Sequence, residues 1–151
     1  MDQIDLKILD LLQGDAKITA KDLSNRLSLS VTPIYERIRK LEKQGIIKNY
    51  VAIIDPEMVN KSLVVFLNLT IKEHNMEARS NLLRSLTALD EISELYHTSG
   101  TYDFVAKVRF SSIKEYKDFL VNKVASIENI ADIESHIVLE EIKHSTRINL
   151  T

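Results

Sequence analysis

Basic side chains crowd into one short stretch of a chain that is slightly acidic overall. Residues 26–48 hold six lysines and arginines against two glutamates, whereas the whole chain has a formal net charge of −2. Guanidinium and ammonium groups concentrated in this way favour a polyanionic partner such as nucleic acid. The basic residues are Arg26, Arg37, Arg39, Lys40, Lys43 and Lys48.

Two short helices must carry this charge, and the first begins at a capping box. Thr19 and Asp22 have the spacing at which two side chains satisfy free N–H groups of a first helical turn. Leu23 and Leu27 follow as an i, i+4 apolar pair, as expected of a helix that packs on one side.

The second helix follows after a short turn at residues 28–30. Ser30 is of a residue type preferred at the N-cap, so the helix should begin near Val31, with Pro33 in its first turn. Gly45 is placed to end the helix at its C′ position. Two capped helices this close in sequence predict a helix-turn-helix, the element that many proteins insert into the DNA major groove.

The second helix has one apolar and one polar face. At about 100° per residue, Ile34, Ile38 and Leu41 share the side that packs inward. The opposite side is polar and basic, and it begins with small polar residues of the types that contact base edges. The candidate DNA-binding residues are Ser30, Thr32, Pro33, Tyr35, Glu36, Arg37, Arg39, Lys40 and Lys43.

A less specific interpretation is an ordinary helical hairpin whose charged face is only solvated. The local excess of positive charge, together with the polar residues at the start of the second helix, favours DNA. Arg37 lies beside the apolar edge of the helix, where it either binds phosphate or only braces the hairpin.

Composition favours an intracellular protein. The chain has 151 residues, 44% of them hydrophobic and 28% charged, and no cysteine, so neither a disulfide framework nor a thiolate metal site is expected. Its first residues lack the pattern of a signal peptide, and no apolar run approaches the length of a membrane span, so we expect a cytoplasmic protein without membrane contact. Residues 1–50 carry nine basic and seven acidic side chains, while residues 51–151 carry eleven and fifteen.

The hydrophobic pattern divides the chain into two domains. An opening helix with Ile4, Ile8, Leu11 and Leu12 on one side ends near Gly14, and from residue 62 the apolar period changes from 3.6 to 2. The order β-α-β-β-α-β predicts a ferredoxin-like sheet with helices on one face. The predicted domains are a helix-turn-helix domain over 1–48, a linking strand (49–54) and loop over 49–61, and a ferredoxin-like domain over 62–151, which is an α+β fold.

Within the second domain we predict four strands and two helices. The strands are expected over 62–72, over 92–98, around Phe104, Ala106, Val108 and Phe110, and over 130–142. The first helix is expected over 76–89. The second helix begins at a capping box formed by Ser112 and Glu115, and its apolar side consists of Ile113, Tyr116, Leu120 and Val124.

Four motifs in this order resemble the Lrp/AsnC family of feast/famine transcription regulators. They are the helix-turn-helix followed by 41–50, Asp55-Pro56, the stretch 99–103, and the terminal stretch 138–143. The resemblance implies an N-terminal DNA-binding domain and a C-terminal domain that dimerises and senses small molecules, commonly amino acids. It implies double-stranded DNA and further copies of the chain as partners, in dimers that join into larger rings, often octamers.

The resemblance also implies an effector pocket between dimers, around the turn at 99–103. The candidate effector-binding residues are Ser99, Gly100, Thr101, Tyr102 and Asp103, with Ser135 and His136 on the last strand. Physically, Gly100 can adopt a positive φ, successive N–H groups of such a turn can hold a carboxylate, and Asp103 could face an ammonium group. The residues alone favour a plain hairpin turn between two strands, which also explains Gly100, and only the family resemblance favours the pocket.

Three positions depart from the family pattern. Thr101 stands where an acidic residue is usual, Glu128-Asn129 where Pro-Gly is frequent before the last strand, and Ser28 where the turn often has glycine. A left-handed Ser28 would carry strain of about 1–2 kcal/mol.

The main alternatives are an enzyme and an amino-acid-binding or assembly module without DNA function. The four histidines lack metal-ligand spacing, and the adjacent Glu140 and Glu141 would point to opposite faces of a strand. We therefore expect no catalytic residue, no metal and no cofactor. The module would account for residues 62–143 but not for the basic hairpin.

Overall fold

The computed structural model describes residues 1–150. The chain forms two compact units, one made of Met1–Ile53 and the segment that begins at Lys143, the other of Ile54–Ile142. The sequence-based division assigned residues 62–151 to the second domain, whereas the structure groups the segment from Lys143 with the first unit. Among the described residues, no helix is both long and apolar enough to span a membrane.

The first unit is built from three helices around a small apolar core. The helices are α1 (Gln3–Gly14), α2 (Ala20–Leu27) and α3 (Val31–Lys43). Residues from all three are buried, and the core consists of Ile8, Leu9, Leu23, Ile34 and Leu41. The remaining predicted residues of the α1 stripe, Ile4, Leu11 and Leu12, are partly buried against it.

Side-chain caps begin α1 and α2. The Asp2 carboxylate accepts from the Asp5 N–H while the Asp5 carboxylate accepts from the Asp2 N–H, a complete capping box that was not predicted from the sequence. Thr19 accepts from the Asp22 N–H at 3.1 Å and donates its hydroxyl to the Asp22 carboxylate at 2.6 Å. Both arrangements satisfy N–H groups that have no partner inside the helix.

The two ends of α3 differ in how they are capped. Ser30 occupies the N-cap position as expected, but its side chain makes no capping hydrogen bond. At the other end Gly45 has φ 70°, and the Ile46 N–H donates to the Leu41 carbonyl at 3.0 Å. The Gly45 N–H donates to the Glu42 carbonyl at 2.9 Å, which completes a Schellman motif.

Residues 147–150 lie along α1. The Gln13 side chain accepts from the Ile148 N–H at 2.7 Å and donates to the Ile148 carbonyl at 3.1 Å. Arg147 pairs with Asp10 at 2.5 Å, and Leu150 packs against the core of the first unit. These contacts explain why residues after 142 belong to the first unit.

The second unit is a four-stranded antiparallel sheet in the order β2-β3-β1-β4. This order and the sequence of elements confirm the predicted ferredoxin-like fold. The elements are β1 (Leu63–Ile71), α4 (Met76–Thr87), β2 (Ile92–His97), β3 (Phe104–Phe110), α5 (Ile113–Phe119), a π-helical turn (Leu120–Val124) and β4 (Ile130–Ile137).

One face of the sheet packs on the helices, and α5 contributes differently from the prediction. Tyr116, Phe119 and Val124 are buried, but Ile113 is 61% exposed. Ser112 accepts from the Glu115 N–H, so Ile113 is the first helical residue, outside the packed stripe. Phe119, which the sequence did not assign to the core, is buried there in contact with Phe110.

Two segments predicted as strand, residues 138–142 and residues 49–54, do not form strands. β4 ends at Ile137 rather than 142, and the Val138 N–H makes a last bond to the Val64 carbonyl at 3.0 Å. Because β1 begins at Leu63, residues after Val138 have no partner strand within the described part of the chain. The predicted linking strand at 49–54 also forms no strand, since no other strand within residues 1–150 pairs with it.

Candidate DNA-binding surface and effector-binding turn

The outer face of α3 is open to solvent along its whole length. On the inner face of α3, Ile34 is fully buried and Leu41 is 2% exposed, whereas Tyr35 on the outer face is 60% exposed. Pro33 is half-buried in the first turn. The predicted contact residues that the structure exposes on this face are Ser30, Thr32, Tyr35, Glu36, Arg39, Lys40 and Lys43.

The positive charge of this face is not neutralised from within. Across residues 1–150, Arg39, Lys40 and Lys43 form no ion pair. The neighbouring Glu42 instead accepts a hydrogen bond from the Tyr50 hydroxyl at 2.9 Å. Burial and this bond raise the pKa of Tyr50 to about 12, so the hydroxyl stays a donor. The face therefore presents three cations at a polar surface, an arrangement suited to phosphate.

Arg37 is the one predicted DNA contact that the structure turns inward. Its Nη1 lies 2.7 Å from the Asp2 carboxylate and 2.6 Å from the Asp5 carboxylate. Hydrogen bonds to Asp5 and Asp2 raise the pKa of Arg37. Burial acts to raise the pKa of Asp5, but the Asp2 N–H and Arg37 outweigh it, and the pKa falls. Of the two interpretations left open for Arg37, the structure favours the brace.

The predicted effector turn is a hairpin connection between β2 and β3. The Thr98 N–H donates to the Asp103 carbonyl at 2.9 Å, and the Thr98 hydroxyl donates to the Tyr102 carbonyl at 2.8 Å. Gly100 has φ 128°, which only glycine adopts readily. Ser99, Gly100 and Thr101 are exposed at the tip.

Asp103 fastens this turn to the end of β1. One carboxylate oxygen accepts from the Ile71 N–H at 2.9 Å, and the Asp103 N–H donates to the Leu69 carbonyl at 2.9 Å. The other oxygen lies 3.7 Å from Nδ1 of His74. One oxygen of the Asp103 carboxylate is therefore bonded to the backbone, and the other, outer oxygen faces the His74 side chain.

The residues predicted on β4 separate onto two faces. Ser135 is opposite Leu67 and its hydroxyl hydrogen-bonds the Tyr116 hydroxyl, on the helix side of the sheet. His136 lies on the other face, 2.8 Å from the Glu134 carboxylate. The structure thus does not bring Ser135 and His136 into one site.

Glu134 joins the turn to β4 and was not among the site residues predicted from the sequence. The Tyr102 hydroxyl donates to its carboxylate, and this bond raises the pKa of Tyr102. Glu134 and His136 are two residues apart on a strand, so the strand period alone places them on the same face. Tyr102, Glu134 and His136 form a polar group beside the turn, which we call the Glu134 group.

A basic helix-turn-helix in one unit and a ferredoxin-like sheet in the other define a DNA-binding transcription regulator with a separate ligand-binding domain. Residues 1–48 match the winged helix-turn-helix DNA-binding family, and residues 64–148 match the Lrp/AsnC ligand binding domain. The chain belongs to the Lrp/AsnC family of transcription regulators.

Curated relatives support this assignment over the full chain. The glutamate uptake regulatory protein of Zymomonas mobilis is 37% identical, with 99% of this chain and 91% of the relative covered. The leucine-responsive regulatory protein of Escherichia coli is 34% identical, with 98% and 90% covered. These relatives are named as regulators rather than enzymes.

Solved structures show the same fold. An AsnC family regulator from Agrobacterium tumefaciens superposes with a TM-score of 0.95 at 35% identity, covering 99% of this chain and 97% of the other. A transcriptional regulator of Neisseria meningitidis, solved as a complex with L-Met, superposes with a TM-score of 0.94 at 31% identity and the same coverage.

Proposed function

We propose that this regulator recognises its operator through the outer face of α3 and that an amino acid or a similar small metabolite modulates its assembly or its affinity for DNA. The observation that carries the DNA part is the exposed row of Arg39, Lys40 and Lys43, which form no ion pair within residues 1–150, on a helix whose opposite face is buried.

Position along α3 divides the residues into two roles. Thr32, Tyr35 and Glu36 lie in the first half of the helix, which in a helix-turn-helix contacts base edges. Arg39, Lys40 and Lys43 lie further along, where their charges bind phosphates without reading sequence. Ser30 and Pro33 set the start of the helix beside the DNA.

The test compares one residue of each role in gel-shift titrations over a range of salt concentrations. Tyr35→Ala should relax sequence preference by about 1–3 kcal/mol at each base whose edge Tyr35 reads. Lys40→Ala should weaken binding to all sequences alike. It should also reduce by about 1 the salt slope, which is the magnitude of the slope of log affinity against log salt concentration. If both variants bind DNA equally weakly with unchanged sequence preference, the assignment of roles is wrong.

The operator itself can be found by selecting bound sequences from a random DNA pool, with and without a mixture of free amino acids. Enrichment of one motif by the wild-type protein supports specific recognition. Uniform recovery of all sequences would contradict it.

The proposed effector contacts the turn at residues 99–103. Support comes from the match to a ligand-binding domain, from the L-Met complex of the Neisseria meningitidis regulator, and from the exposed tip around Gly100. The outer oxygen of Asp103 is placed to accept from an ammonium group. His136 can contribute through the Glu134 group, whereas Ser135 lies on the other face of the sheet.

We propose that the protein assembles as a homodimer and further to an octamer, because the sheet has a second face that its own helices leave uncovered. A ligand bound between copies shifts assembly only by its differential affinity, commonly about 1–3 kcal/mol of coupling. Light scattering with a panel of amino acids would measure oligomer mass directly.

Asp103→Asn is the sharper variant for this assay. An amide keeps an oxygen for the Ile71 N–H but removes the charge, so folding and DNA binding should persist while the ligand-induced change in mass disappears. If no amino acid alters mass, stability or DNA affinity of the wild-type protein, the effector proposal fails and the DNA proposal is unaffected.

A further inference from the structure

The guanidinium of Arg37 lies between two carboxylates at the start of α1. We infer that Arg37 is a positioning residue for DNA recognition, which fixes α3 against α1 instead of contacting phosphate. The inference rests on the proposed reading role of α3 and assigns a residue on which that reading depends.

The two carboxylates are themselves held rigidly. Asp2 is the N-cap of α1 and Asp5 its third residue, and each accepts a backbone N–H of the other at 2.9 Å. Nη1 of Arg37 then contacts both at 2.7 and 2.6 Å. A guanidinium bound to two fixed acceptors is held in direction as well as in distance.

Burial and charge separate Arg37 from the other basic residues of α3. Asp5 is 6% exposed and the Arg37 side chain 30% exposed, so the Asp5 side of this pair is shielded from water. Two carboxylates face one guanidinium, which leaves no net positive charge for phosphate. Arg39 and Lys40, by contrast, are exposed and form no ion pair within residues 1–150.

Apolar packing alone specifies the placement of α3 weakly. Ile34 and Leu41 hold the helix to the core, but dispersion contacts are nondirectional and tolerate small rotations and shifts. Arg37 is adjacent to Glu36 and two residues from Tyr35 and Arg39, so a small rotation about the helix axis displaces all of them. Functional side chains need support within about 0.5 Å, which a directional ion pair supplies.

The experiment uses Arg37→Gln in the full-length protein. Affinities for the selected operator and for a random duplex are measured across salt concentrations. The operator-to-random ratio should fall about tenfold, because the discrimination carried by one displaced base contact is of that order. The salt slope should stay unchanged, whereas Lys40→Ala should lower it by about 1.

Three further variants separate positioning from loss of folding. Arg147→Gln breaks another ion pair of α1, with Asp10, that does not involve α3, and it should leave the ratio unchanged. Asp5→Asn combined with Arg37→Gln removes the buried carboxylate together with its partner, so thermal stability should recover while the ratio stays low. Arg37→Lys keeps the charge, but its ammonium lacks the planar guanidinium whose Nη1 contacts both carboxylates, so it should restore the ratio only partly.

Two outcomes would overturn the inference. A salt slope lowered by about 1 with an unchanged ratio would make Arg37 a phosphate contact. An unchanged ratio and slope in all Arg37 variants that fold would show that the brace does not serve recognition. A wild-type protein that prefers no sequence would instead refute the proposed function.

Discussion

Ser28 shows how one residue can hold a strained conformation because its surroundings require it. Its φ of 55° and ψ of 43° lie in the left-handed region, and its N–H donates to the Ser24 carbonyl at the end of α2. The next N–H, of Leu29, donates to the same carbonyl at 3.1 Å. The turn thereby directs the chain from α2 into α3.

Replacing Ser28 with glycine should therefore stabilise the protein. Relief of left-handed strain is worth about 1–2 kcal/mol, partly offset by the larger backbone entropy of unfolded glycine, for a net gain of about 0.5–1 kcal/mol in the free energy of unfolding. Urea unfolding would measure it. The matched control is Ser80→Gly, in helical conformation within α4, where the same change should destabilise. Equal effects at the two positions would contradict the argument.

Glu115 illustrates a carboxylate whose ionised form the fold favours. Lys61 lies 2.5 Å from one oxygen, and the hydroxyl and N–H of Ser111 donate to the other at 2.6 and 2.7 Å. The Lys61 bond, followed by the Ser111 bonds, lowers the pKa of Glu115 to about 2. A lowered pKa in the folded state means stability that is present above the unfolded pKa and is lost as the pH falls.

Glu115→Gln should accordingly lower the urea midpoint at pH 7, and the difference from wild type should shrink as the pH falls from about 5 towards 2. Protonation of the wild-type carboxylate removes the same charge that the substitution removes. Glu140→Gln, at an exposed carboxylate outside any helix or strand, serves as the control. A difference of constant size across this pH range would disprove the role of the charge.

At the scale of elements, the segment from Lys143 completes the helical unit. The paired bonds between Gln13 and Ile148 resemble those of a neighbouring strand, and Leu150 adds apolar contact. Neither contact could be inferred from local sequence, because the partners are 135 residues apart.

Ending the chain after Ile142 should lower the free energy of unfolding of the first unit by about 1–3 kcal/mol, from two hydrogen bonds and partial exposure of the core. Thermal melting followed by circular dichroism would measure this decrease. Arg147→Gln alone should cost less than about 1 kcal/mol, because its ion pair with Asp10 is half exposed. A truncated protein as stable as the full chain would show that these contacts are incidental.

At the scale of the whole molecule, the two units carry separate tasks and the chain passes between them twice, near residues 53 and 142. The proposed two-fold dimer then determines the symmetry of the operator. A two-fold dimer presents two copies of α3, which fit half-sites about 34–36 Å apart or a multiple of this distance.

The operator should therefore be a partial palindrome, and nuclease footprints should show two protected half-sites in phase on the helix. Footprinting at increasing protein concentration tests this directly. Protection of a single asymmetric half-site at saturating protein concentration would contradict binding of the operator by a dimer.

Much of the fold was predictable because its signals are local. Capping side chains at Thr19 and Ser112, the Schellman glycine at 45 and the change of apolar period at residue 62 all act within a few residues, and the structure confirms each. The helical period of 3.6 residues likewise predicted the buried and exposed faces of α3, which the structure confirms. The roles of the DNA contacts and the effector residues stay predictions.

What only the tertiary structure decided depends on residues distant in sequence. Arg37 pairs with Asp2 and Asp5 because α1 places both carboxylates beside it. Asp103 accepts a hydrogen bond from the Ile71 N–H because β1 ends beside the turn. The strand predicted over 130–142 stopped at Ile137 because its neighbour β1 begins at Leu63, and the final segment joined the first unit through Gln13 and Asp10. Local sequence determines which elements form, but a side chain's partner and a strand's length depend on what the folded chain places beside them.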